Sequence, residues 1–260
     1  MNKRRIEQMG LFGSGLILTL LMVGPAVSAT AQDFDHNHAA YDAILKTHVT
    51  NGMVDYKALK AAQKALDRYL AALAAVSEPR FKSWTEPQKI AFLANLYNAA
   101  TLRLILDHYP LKSIKDIGTI LKGPWDQPVV RLCGKTIALN NLEHDILRKD
   151  YNEPRLHMAL VCAAKGCPPL RNEAYAAGRL NEQLDDQART YLSSPAGLRV
   201  ERAKGEAHVS SIFKWYGKDF QSVPAFVAKY SGQSMDGLKI RYLDYDWSLN
   251  ERQEATSAGE

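Results

Sequence analysis

The feature that most limits what this chain can fold into is a long apolar helix bracketed by its own start and stop signals. Thr85 offers an N-cap oxygen, Pro87 lies in the first turn, and Gln88 stands three residues after the cap in capping-box register. Ala91, Phe92, Leu96, Ala99, Leu102 and Leu106 then recur at helical spacing, and Pro110 sets the limit. Asn95 and Asn98 interrupt this apolar surface three residues apart. A buried amide costs roughly 1–3 kcal/mol unless it is satisfied, so both are expected to hold a loop or a site.

The remaining elements read as shorter pieces. Residues 36–48 form an amphipathic helix stopped by Asn51-Gly52, residues 53–56 are extended, and residues 58–76 are an Ala/Leu-rich helix ended by Ser77-Glu78-Pro79. After Pro110 the pattern changes to strands. Residues 129–132 and 135–139 make a hairpin about Cys133-Gly134, and Asn140 caps a short helix over 142–148. Residues 155–162 alternate as a buried strand, and a loop over 163–175 leads to a helix over 179–192. A second hairpin (198–200 with 207–210), short helices over 212–220 and 225–230, a strand over 240–245 and a polar tail from residue 251 complete the chain. The sum is an α+β, helix-rich single domain over residues 32–250 with a small mixed or antiparallel sheet.

Ahead of these elements, Lys3-Arg4-Arg5 precedes an apolar run over 11–27 and then Ser28-Ala29-Thr30-Ala31. This is the order of a secretory signal peptide, so residues 1–31 are expected to be removed after Ala31 or Ala29. Gly13, Gly15, Gly24 and Pro25 argue against a permanent span. The mature chain is then periplasmic or secreted, with no stable membrane anchor. Three of the 33 cations and one of the 28 acids lie in this leader, leaving a net charge of about +3 spread along the chain. Such dispersion fits solubility and not a nucleic-acid partner. At 46% hydrophobic and 23% charged residues, the composition excludes disordered, collagenous and polytopic membrane proteins.

Several strings occur together in a telling order: Ala91-Phe92-Leu93-Ala94-Asn95-Leu96-Tyr97-Asn98-Ala99, Gly123-Pro124-Trp125, and Leu142-Glu143-His144-Asp145-Ile146-Leu147-Arg148. They are followed by Glu153-Pro154-Arg155-Leu156-His157-Met158-Ala159-Leu160-Val161-Cys162, Gly166-Cys167-Pro168-Pro169-Leu170-Arg171 and Ile212-Phe213-Lys214-Trp215-Tyr216. In this order the chain resembles the family of domain of unknown function 547 over nearly all of its mature length. The resemblance implies an exported bacterial protein and brings no established reaction.

Chemistry concentrates between Asn95 and Arg171. Three thiols in an oxidising compartment leave one over if a single disulfide forms. Cys162 and Cys167 can bridge if their loop folds back, with Cys133 the odd one out. Alternatively Cys162 or Cys167 is a nucleophile, which requires a base and a group to orient it. His144 and His157 are the candidate bases, and Glu143, Asn95 or Asn98 the orienters. On a strand His157 would face away from Cys162, which favours His144 for Cys162 and His157 for Cys167. Each has a plainer role: Glu143 in a capping box with Asn140, His144 in a structural hydrogen bond, and Arg171 paired with Glu173 instead of anchoring a substrate with Asn98. Phe213-Lys214-Trp215-Tyr216 reads as core. A polar helix pair beside Cys and His is loosely similar to papain-like and transglutaminase-like folds, although the long helix carries no Cys. His36 and His38 lack zinc partners at ligand spacing, and no phosphate-binding or dinucleotide-binding glycine motif occurs, so neither metal nor cofactor is expected. The partner is an unidentified small molecule or peptide. The expected function is thiol-dependent hydrolysis or transfer at an amide or ester bond, or else a non-catalytic binding or scaffold domain.

Overall fold

A computed structural model describes residues 33–119 and 121–253; the expected leader and residues 254–260 lie outside that range. Helix α1 (Ala39–His48) runs into a hairpin of β1 (Val49–Thr50) and β2 (Met53–Val54). Its turn holds Gly52 at φ 78°, where an added Cβ would meet Pro169 at 2.4 Å. The helix expected over 58–76 is two helices, α2 (Tyr56–Ala61) and α3 (Lys64–Ala74). Asp55 caps α2 by accepting from the Ala58 N–H at 2.9 Å, which starts a helix where extended chain was expected. Residues 61–63, Ala-Ala-Gln, supply no large apolar side chain to carry one buried seam across the junction. Glu78-Pro79 opens α4 (Glu78–Ser83) instead of only ending a helix, because proline suits a first turn.

α5 (Glu86–His108) has its capping box, Thr85 with Gln88, and every residue from 90 to 102 is buried. A helix enclosed on all sides is a core axis and not a surface helix. Next come β3 (Val130–Leu132) and β4 (Lys135–Ile137), antiparallel, with Cys133 and Gly134 both at positive φ as a two-residue turn demands. A π-helical segment, Asn141–Leu147, follows and continues into α6 (Arg148–Asp150); the Arg148 N–H reaches the Glu143 carbonyl five residues back. Asn140 does not cap it: its backbone is helical and its side chain donates to Asp126 at 2.6 Å.

The strand expected over 155–162 is instead a turn of helix, α7 (Leu156–Ala159), followed by extended residues. Leu156, His157, Met158 and Ala159 are all buried, and alternation along a strand cannot send four successive side chains inward on one side. Beyond it lie α8 (Leu180–Leu192), β5 (Leu198–Glu201), β6 (Glu206–Val209), α9 (Ile212–Trp215), α10 (Val223–Ser231) and β7 (Lys239–Tyr242). β6 pairs antiparallel with β5 and parallel with β7, a small mixed sheet. It packs through Ala207 and Val209 with Met158, Tyr191 and Phe213 in one buried cluster. Pairing continues past Asn250, since the Arg252 N–H donates to the Val54 carbonyl at 2.8 Å. The architecture is α+β and helix-rich, and no helix among the described residues is long and apolar enough to cross a membrane.

Candidate active site

The two asparagines of α5 act on backbone. Asn98 Nδ2 donates to the Ala159 carbonyl and its Oδ1 accepts from the Val161 N–H, both at 3.0 Å. Asn95 treats Tyr175 the same way, at 2.8 and 3.0 Å. Both ends of each amide are occupied, so Asn95 orients no base and Asn98 faces no substrate, contrary to expectation. They pin the two ends of the cysteine loop. Immediately after Cys162, Ala163 adopts φ 57°, a left-handed conformation that costs an alanine about 1 kcal/mol. Strained residues of this kind gather at functional sites.

The segment after β7 lies over the same loop. Lys165 N–H donates to the Ser248 carbonyl at 2.9 Å, Gly166 N–H to Asp246 at 2.8 Å, and Asn250 N–H to Ala163 at 3.0 Å. Gly166 is required by this approach, because a Cβ there would stand 2.8 Å from the Asp246 nitrogen. The strap brings the Tyr245 hydroxyl to 3.3 Å from Cys162 Sγ.

Cys133, Cys162 and Cys167 are all free thiols. Cys162 Sγ lies 2.9 Å from Cys167 Sγ, and the Cys162 N–H donates to Cys167 Sγ at 3.0 Å. The hydrogen bond from Cys167 holds the Cys162 thiol below its ordinary pKa, aided by Tyr245 and the Ala164 amide and opposed by burial and by the charge of Glu143. Burial, together with that same bond, pushes Cys167 well above the thiol range. The pair is thus divided into a thiolate former, Cys162, and a donor behind it, Cys167.

Cys162 and Cys167 line a cavity of about 230 Å³ with Glu143, His157, Tyr97 and Tyr216. Glu143 accepts the Tyr97 hydroxyl at 3.0 Å from its place in the π-helical segment, so its expected capping-box role is not the one it plays. His157 Nε2 lies 2.7 Å from Asp219 Oδ2. Asp219 also takes Arg148 Nε at 2.6 Å and Nη2 at 2.9 Å, and Arg148 holds its carboxyl below the usual range. A carboxylate only accepts, so Nε2 carries the proton and Nδ1 keeps its lone pair. Burial lowers the His157 pKa against the pull of Asp219, which leaves the ring neutral at pH 7. Tyr216 stacks on it, centroids 4.3 Å apart.

The other candidates lie elsewhere. His144 Nδ1 accepts from Arg148 Nη1 at 2.8 Å, so its lone pair is committed; of the two histidines only His157 lines the cavity with Cys162. Arg171 pairs with Glu173 and with Asp186 at 2.6 Å on the wall of a second cavity of about 670 Å³, which shares Cys167 with the first. Sequence reasoning missed Asp219, Tyr97, Tyr245, Trp125 and Trp247, and assigned Trp215 and Tyr216 to the core although both line the cavity.

No curated protein and no solved structure matches the chain. One family model matches residues 81–192, described as protein of unknown function, DUF547. That segment carries Glu143, His157, Cys162 and Cys167, whereas Asp219, Trp215, Tyr245 and Trp247 lie beyond it. Over residues 81–192 this chain belongs to the DUF547 family.

Proposed function

We propose that the chain is an exported, thiol-dependent hydrolase or transferase that opens an amide or ester bond in a small molecule or peptide. One observation carries the reading. A thiol held below its ordinary pKa shares a cavity with a neutral histidine that a carboxylate orients. His157 takes the Cys162 proton, and the sulfur attacks the substrate carbonyl carbon. As the tetrahedral adduct collapses, the C–N or C–O bond breaks and His157 returns the proton to the departing amine or alcohol. Water, or an acceptor amine, then opens the thioester and restores the thiol. Export to the periplasm is supported by the basic, apolar and small-residue order of residues 1–31.

Limiting iodoacetamide at neutral pH on the folded, reduced protein, followed by peptide mapping, tests this. Cys162 should be alkylated ahead of Cys133 and Cys167. Protection of Cys162 as isolated, relieved only by reductant and without preference for Cys162 afterwards, would overturn it. That result favours a second reading, a binding domain whose loop is pinned by a disulfide between Cys162 and Cys167. The two free thiols stand 2.9 Å apart, longer than the S–S length of about 2.05 Å in a formed bond but close enough for oxidation to join them, and a loop so short would contribute on the order of 2 kcal/mol.

A further inference from the structure

Of the 13 residues lining the Cys162 cavity, six are aromatic, one is acidic and none is lysine or arginine. Trp215 packs against Tyr245 at 4.9 Å and Trp247 at 5.8 Å between centroids, and Trp125 meets Trp247 at 5.8 Å. Trp215 is nevertheless 46% exposed, an unusual state for a large ring. Aromatic faces carry negative potential and attract ammonium groups. Two of these rings already draw cations: Lys115 Nζ stands 3.9 Å from the Trp247 centroid, and Arg148 4.8 Å from that of Tyr216. Neither cation lines the cavity. The acid among its walls is Glu143, which accepts the Tyr97 hydroxyl at 3.0 Å and is hydrogen-bonded by Tyr216, and a carboxylate has further acceptor sites beyond these two. An anionic group entering here would meet a carboxylate and the open ring faces of Trp125 and Trp215, with no lysine or arginine among the lining residues.

Resting on the thiol reading above, we propose that the cavity selects acyl substrates bearing an ammonium group, primary or N-methylated, seated between the indole rings and Glu143 beside the scissile carbonyl. The test uses three thiosulfonates that differ in charge: trimethylammonioethyl, sulfonatoethyl and methyl methanethiosulfonate. In each, the Cys162 sulfur displaces methanesulfinate and forms a mixed disulfide. Rates at Cys162, followed by peptide mass and normalised to N-acetylcysteine, report selection without any need to know the substrate. The cationic reagent should be favoured over the anionic one by about tenfold or more. Glu143→Gln and the exposed Trp215→Leu should each bring that ratio toward unity. Equal normalised rates, or faster modification by the sulfonate, would overturn the ammonium inference alone. Failure of all three reagents to reach Cys162 in the reduced protein would overturn the thiol reading and this inference together.

Discussion

Asn98 spends its amide on the Ala159 carbonyl and the Val161 N–H, and by doing so sets where Cys162 stands. Asn98→Ala leaves both backbone groups without partners in a buried place, so unfolding in urea should show a loss of roughly 2 kcal/mol, and Cys162 should be alkylated more slowly. Unchanged stability with weakened substrate binding would instead mean that the amide faces a ligand. That a buried amide on an apolar helix must hold something was legible from its neighbours; that it holds backbone was not. The histidines divide similarly. His144 and His157 look alike in sequence, and what separates them is Asp219, which lies 62 residues beyond His157 and is brought to it only by the fold.

Among elements, α5 was readable because Thr85, Pro87 and Gln88 state its start and its apolar run leaves no alternative. α7 was misread because Leu156, Met158 and Leu160 alternate along the chain as they would on a strand, whereas all four side chains from Leu156 to Ala159 are buried. How α1 and α3 pack was not legible at all. His38, just before α1, places Nδ1 2.8 Å from the Tyr69 hydroxyl of α3. Burial lowers its pKa to about 4, with Asp35 opposing and His36 adding to the fall. The unfolded histidine takes its proton near pH 6.5 while the folded one resists until about pH 4, so stability is whole above the first value and lost as pH falls toward the second. Up to roughly 3 kcal/mol is at stake, and His157, also lowered by burial, acts in the same direction. Urea unfolding between pH 7 and about pH 5 should show the decline, and His38→Gln should flatten it. An equal decline in the variant would assign the acid sensitivity to other groups.

At the scale of the molecule, the cavity is assembled from the core helix, the π-helical segment, the cysteine loop, the turn after α9 and the strap after β7. The thiols, His157 and Glu143 lie within the family segment, while Asp219, Trp215, Tyr245 and Trp247 come from beyond it. No spacing rule links Tyr97 to Trp247, which is why residues with chemistry could be named from sequence while their grouping could not. The central claim, that Cys162 is an acyl-accepting nucleophile served by His157 and Asp219, is tested most directly with the reduced protein and p-nitrophenyl acetate. The measurement is the nitrophenolate burst together with the mass and position of the acetyl group left on the chain. The expected result is one nitrophenolate released per chain, acetyl on Cys162, no burst in Cys162→Ser, and a burst slowed about a hundredfold in His157→Gln. Acetyl found only on surface lysines, with the same time course in Cys162→Ser, would contradict the claim.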